Sequence, residues 1–127
     1  MTKKRQMAGK KVTTHDFKDG QGPVPAHRHP NGGGWVADTA SVGDNAYVGK
    51  KARVFGNAQV FGNAWVSGNA RVYGNARVYG DAWVSGDAWV SGDARVCGDA
   101  QVSRNAWVFG NAQVSGSKKI SSGVVDK

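Results

Sequence analysis

Few residues in this 127-residue chain could do covalent chemistry, and they are scattered. Its three histidines, His15, His27 and His29, all fall before Pro30. His27-Arg28-His29 has the spacing of two imidazoles that could clip a metal ion. No cysteine or carboxylate pair stands beside them at a familiar ligand spacing, so His27 and His29 are weak metal candidates. The competing reading is a loop rich in proline (Pro23, Pro25, Pro30). Cys97 is the only thiol, and it would be reactive only with a lowered pKa. Asp81, Asp87, Asp93 and Asp99 recur at every sixth position where neighbouring copies carry Asn, which reads as bend chemistry rather than ion binding. There is no phosphate-binding loop and no nucleophile beside a base. What stands out is Trp, Tyr and Arg, the residue types that dominate binding hot spots. Tyr47, Arg53, Trp65, Arg71, Arg77, Trp83, Trp89, Arg95 and Trp107 all occupy one place in a six-residue phrase, just before a valine. That pattern points to a surface that binds, not to a catalytic centre.

The phrase itself defines the elements that hold these side chains. From Val36 to Val114 a valine falls at every sixth position, followed by Ile120. At the fourth place after each of the first thirteen comes an alanine, from Ala40 to Ala112. In Ala-x-Val, alternation sends Ala and Val to one face and the middle residue to the other, as in a short strand. The Gly-Asn or Gly-Asp that follows tolerates positive φ, which a sharp corner requires. The unit is therefore a three-residue strand and a bend. Hairpins would need longer flanking strands, so a coil that keeps turning one way fits better.

Val-x-Gly-Asn/Asp-Ala-x resembles the hexapeptide-repeat family, whose motif is an aliphatic residue followed at the fourth position by a small one. "VGDNAY" (42–47) matches the usual family form, while most later copies shift the glycine one place along, which predicts a slightly different corner. The resemblance covers 36–120 and implies an all-β fold. The expected architecture is a single-stranded left-handed parallel β-helix of about five triangular coils, three hexads per coil, after a largely irregular N-terminal segment. Five coils span about 24 Å at roughly 4.8 Å per strand. The expected organisation is a basic, flexible segment 1–30, an N-terminal cap 31–35, the β-helix 36–120 and a tail 121–127. Trp35 in "NGGGWVADTA" is expected to lid the alanine-lined interior, and Lys118 and Lys119 to discourage edge pairing on the last coil. The "GGWV" lead into the first coil also resembles short Gly-Asn-Ala repeat proteins of enterobacteria and their temperate phages.

Three hexads per coil would stack residues 18 apart, and like then falls over like. Tyr47, Trp65 and Trp83 share a column, Trp89 stacks on Trp107, Arg77 on Arg95 and Arg53 on Arg71. At the corners Phe55 stacks on Tyr73 and Phe61 on Tyr79, with a serine file at 67, 85, 103 and 121. Tyr47, Trp65 and Trp83, with Phe61 and Tyr79 at the adjoining corner, should make one continuous aromatic face. That face is the expected self-interface, since family relatives trimerise side by side. Arg53, Arg71, Trp89 and Trp107, together with Arg77 and Arg95, are the candidates for a foreign ligand. Stacked arginines invite a shared anionic or aromatic partner.

The enzymes of the family are chiefly trimeric acyltransferases and γ-class carbonic anhydrases. Both rely on histidines in or beside the coils, and this chain has none after His29. No catalysis and no cofactor are expected. The leading expectation is an oligomeric binding or scaffold protein, a phage or prophage accessory factor that engages and inhibits a host protein. A second is a nucleotide or nucleic-acid binder using the Arg/Trp columns, and a weaker third is a degenerate acyltransferase.

Charge and composition bound these readings. The net charge of +8 is concentrated at the ends: residues 1–35 hold seven Lys/Arg against two Asp, residues 36–117 seven against six. A basic tail can steer a protein toward nucleic acid, although a solvated tail is the commoner case. Only 39% of residues are hydrophobic, Leu is absent and Ile120 is the only Ile. So thin an interior does little to offset the ordering of the chain, which favours an oligomer. No apolar run is long enough to span a bilayer, and "MTKKRQMAGKK" lacks the apolar stretch of a secretory signal. With one cysteine, a cytoplasmic setting (the host's, for a phage protein) is expected.

Overall fold

A computed structural model describes residues 13–17 and 22–125. Among them there is no helix, and so none long and apolar enough to cross a membrane. The described chain forms eighteen short strands. β1 (Thr14–Asp16), β2 (Pro23–Arg28) and β3 (Trp35–Ala37) lead into fifteen two-residue strands, each an outward residue followed by an inward Val or Ile except at the last. The first face of the solenoid comprises β3, β6 (Arg53–Val54), β9 (Arg71–Val72), β12 (Trp89–Val90), β15 (Trp107–Val108) and β18 (Val124–Val125), extended by β2 and β1. The second comprises β4 (Ser41–Val42), β7 (Gln59–Val60), β10 (Arg77–Val78), β13 (Arg95–Val96) and β16 (Gln113–Val114). The third comprises β5 (Tyr47–Val48), β8 (Trp65–Val66), β11 (Trp83–Val84), β14 (Gln101–Val102) and β17 (Lys119–Ile120).

Every ladder within the coils is parallel, and register partners stand one full coil of three hexads apart, as in Trp83↔Trp65 and Arg77↔Arg95, except at the last rung, where Trp107 pairs with Val124, one residue short of a full coil. Three faces of five or more rungs make a β-solenoid of about five turns. Its interior is lined by a file of valines and a file of alanines along each of the three faces: Ala46 to Ala112 and Val48 to Val114 are essentially inaccessible to solvent. Bonding continues round the corners, where Asn63 N donates to Gly80 O and Asp81 N to Gly98 O, both at 2.8 Å. The corner glycines from Gly56 to Gly116 take φ between 63° and 70°, with Arg104 (φ 55°) replacing glycine once. Gly43 and Gly49, in the early copies, do not have positive φ, so the shifted glycine does mark a different corner.

The N-terminal stretch departs from the expected irregular segment. β1 pairs antiparallel with β2, and β2 antiparallel with β3, so this stretch adds two strands to the first face. Of the prolines that argued for a loop, Pro30 lies in the turn beyond β2, whereas Pro23 and Pro25 fall where β2 has run past its pairing with β3, which covers only Ala26–Arg28. There Pro25 needs no N–H and contributes its carbonyl to Asp38 N at 2.9 Å. Phe17 is buried (1% exposed) against Ala26, Ala37 and Phe55, a second small core outside the coil. Of the flexible segment expected over 1–30, residues 1–12 and 18–21 lie outside the described residues.

Trp35 is not the lid. It projects from the outer side of β3 and packs with Val24 and Tyr73 against the second core. The end of the coil is covered instead by residues 29–34. His29 Nε2 donates to Ala46 O at 2.8 Å, Asn31 Nδ2 reaches the same carbonyl at 3.2 Å, and Gly34 N donates to Val48 O at 2.9 Å. A Cβ on Gly32 would lie 2.2 Å from Val48 O, so only glycine passes there. At the other end, β18 pairs with β15 and carries the ladder beyond 120 into the expected tail.

Candidate functional site

The outward residues of each face are held by the strand that buries their neighbouring valine. Each column is therefore as rigid as the core beneath it. The three faces differ in chemistry.

The third face is aromatic. Tyr47 and Trp65 stack at 4.0 Å (15°), and Trp65 meets Trp83 at 6.0 Å (33°). Trp65 and Trp83 are 41% and 49% exposed, among the most exposed large apolar side chains of the described residues. Phe61, also 41% exposed, stacks on Tyr79 at 4.9 Å with rings 1° from parallel. The expected single face is thus two parallel files, one on the strands and one on the adjoining corner, and the ring contacts run along each file. A side-chain hydrogen bond with Cys97 raises the Tyr79 pKa above its ordinary value, helped by burial and opposed by the nearby Arg95 and Arg77. Cys97 therefore sits directly under Tyr79, as its 18-residue offset requires.

The first face combines cations and indoles in one column, two adjoining arginines between a single indole and an indole pair. Trp35, Arg53, Arg71, Trp89 and Trp107 occupy successive rungs. Arg71 lies over the Trp89 ring at 5.2 Å and Arg28 over Trp35 at 4.5 Å, contacts that favour both partners. A ring chain joins them lengthwise: His15 stacks on Trp35, Phe17 touches His15 and Phe55, and Phe55, Tyr73, Trp89, Trp107 and Phe109 follow. Trp89 and Trp107 meet nearly at right angles (73°, 5.2 Å) and form two walls of a cleft of about 270 Å³ with Asp87 and Asn105. Sequence reasoning found Arg53, Arg71, Trp89 and Trp107 but missed Trp35, whose offset of 18 from Arg53 was the available signal. It also missed Arg28, His15 and Phe17, which precede the repeat and carry no period to place them.

The second face is polar. Arg77 and Arg95 are register partners, flanked by Gln59 and Gln113 on the rungs before and after. With Asn57, Asn75 and Asp93 on the neighbouring corner, Gln59, Arg77 and Arg95 line a groove of about 400 Å³. Asn75 Nδ2 donates to Asp93 Oδ1 at 3.3 Å, and the same Asn-to-Asp bond recurs at the other corners as Asn63 to Asp81 and Asn69 to Asp87. The aspartates thus cross-link successive coils.

His27 and His29 do not converge on a shared position. His27 Nδ1 pairs with Asp38 Oδ1 at 2.7 Å on the surface, whereas His29 turns inward to the Ala46 carbonyl. Among the described residues no three His, Cys, Asp or Glu side chains cluster as metal ligands do.

Stacked parallel coils, an 18-residue rise in register and a Val/Ala interior define the chain as a repeat β-helix protein, a β-solenoid built from hexads. The comparison with protein families agrees: the YdcK beta solenoid repeat model matches residues 52–68 and 70–86, two successive stretches of about one coil each. No curated protein and no solved structure matches the chain.

Proposed function

We propose that this β-solenoid is a non-catalytic binding and scaffold protein that assembles with itself through its third face and holds a partner protein on its first. The observation that carries the proposal is the exposed indole pair Trp65 and Trp83 beside Phe61, fixed on a rigid ladder. Large exposed apolar patches on a folded domain mark interfaces, and Trp is the residue most enriched at their energetic centres. A side-by-side trimer would cover these rings. The first face then remains outward, its Arg–Trp pairs available to the partner, a host protein if the chain is phage-borne. The engagement of His29 with backbone supports a binding role over acyl transfer.

Sedimentation equilibrium tests the assembly. The wild type is expected at three times 13.4 kDa, and the Trp65→Ser/Trp83→Ser variant at 13.4 kDa with unchanged far-UV circular dichroism. A wild type that sediments as a monomer overturns the proposal.

A further inference from the structure

The arginines of the first and second faces differ in what they already touch. Arg71 lies on Trp89, and Arg28 lies on Trp35 while its Nη1 donates to Gly33 O at 3.0 Å. Arg77 and Arg95 have no hydrogen-bonding or ion-pair partner among the described residues, and both are exposed. They are register partners on adjacent parallel strands, roughly 4.8 Å apart at the backbone. Like charges so placed repel, and an anion between them removes the repulsion.

We infer that the second-face groove is a phosphate-binding site, in which Arg77 and Arg95 clamp the phosphate group of a small monoester such as a mononucleotide. Each guanidinium presents a planar fork of N–H donors, and the two forks together carry two positive charges, against the single negative charge of a carboxylate. A phosphate offers three acceptor oxygens and close to two negative charges at neutral pH. The amides of Asn57 and Gln59 line the same groove and supply further donors. Asp93 is the only carboxylate lining it, and Asn75 Nδ2 binds that carboxylate from the rung before. Asp93 weakens the field without closing the clamp, so its charge is a built-in handle for testing electrostatics. The site shares no residue with the aromatic contacts proposed for self-assembly, and its failure would leave that proposal standing.

The test is nuclear magnetic resonance of the arginine Nε–Hε signals in full-length protein, titrated with inorganic phosphate, AMP and acetate. The expected result is saturable shifts of Arg77 and Arg95 with phosphate and with AMP, and at least about tenfold weaker binding of acetate. Arg77→Lys keeps the charge and loses the fork, and should weaken phosphate binding about tenfold. Asp93→Asn should tighten it several-fold, an effect that a merely structural aspartate would not produce. AMP binding well above phosphate identifies a nucleotide as the source of the group, and equal binding identifies the phosphate alone. Acetate binding as tightly as phosphate, or phosphate binding that persists unchanged in Arg77→Ala/Arg95→Ala, overturns the site. The replaced side chains are exposed, so an unchanged melting curve separates loss of binding from loss of fold.

Discussion

The tightest constraint on the coil is the passage of one corner over the next, and Gly86 shows how much it is worth. Its φ of +64° lies in the left-handed region, and a Cβ there would sit 2.7 Å from Arg104 N and 2.9 Å from Arg104 Cα. Gly116 has nearly the same φ, +66°, but a Cβ there would meet nothing within 4 Å. Both Gly→Ala changes carry the left-handed penalty of about 1–2 kcal/mol. Only Gly86→Ala must also push neighbouring coils apart, by about the 0.7 Å that separates 2.7 Å from the 3.4 Å where ordinary contact begins. That shift stretches Asp87 N–Arg104 O (2.8 Å) and Ser85 N–Val102 O (2.9 Å) to the limit of hydrogen bonding. At roughly 1 kcal/mol net per bond, Gly86→Ala should lose about 3–4 kcal/mol in all. Urea unfolding followed by far-UV circular dichroism reads both variants. Arg104→Gly calibrates the backbone penalty, since Arg104 already adopts φ 55°, and should gain about 1 kcal/mol. It should not rescue Gly86→Ala, because the clash is with backbone that glycine retains. Equal losses for Gly86→Ala and Gly116→Ala would refute close inter-coil packing as the reason for the repeated glycine.

Two further outcomes follow from the docked N-terminus and from the Tyr79 corner. Phe17→Ser removes a ring that is 1% exposed and stacked 4.8 Å from Phe55, and should cost the N-terminal strands about 3 kcal/mol. Hydrogen exchange should then speed up at Ala26 N, bonded to Thr13 O, and stay slow at Trp89 N, bonded to Ala106 O; equal acceleration would show one cooperative unit instead. Cys97→Ala removes the largest cause of the raised Tyr79 pKa, so a titration of tyrosinate absorbance should show Tyr79 ionising nearer its ordinary 10.0. The raised pKa favours the neutral phenol in the folded state. Its stabilisation is complete below pH 10.0 and is lost as pH rises through the folded pKa, a loss that Cys97→Ala should flatten.

The repeat was legible because one rule, Ala and Val inward once per hexad, fixes strand, corner and core together. Once residues 18 apart are stacked, Trp89↔Trp107 and Arg77↔Arg95 follow without any tertiary information. What the period could not reach were the residues before it. Phe17 has no partner in sequence terms, and its burial exists only because Phe55 and Ala37 leave an apolar corner outside the coil. Trp35 was misplaced for a related reason. It is the first residue of the outward column, yet a glycine run before it argues for a cap, and the run does form one, without the indole. Nor could the pattern say which arginines are engaged, because Arg71 and Arg77 occupy identical places in the phrase. The difference lies one rung away: Trp89 follows Arg71, and Arg95 follows Arg77.

That last contrast explains how such a plain repeat can carry several surfaces. Neighbours in sequence are sent to different faces, so Trp83, Trp89 and Arg95 share almost no environment although each stands only one hexad from the next. Neighbours in space come from successive coils, and a column changes character with one substitution per coil. The buried Val and Ala stay the same beneath every one of them, so the outward residue can vary with little effect on the core. A mutation confined to one column should therefore alter one contact and spare the others. On this basis the serine substitutions at Trp65 and Trp83 should abolish self-assembly while leaving phosphate-induced shifts at Arg77 and Arg95 intact.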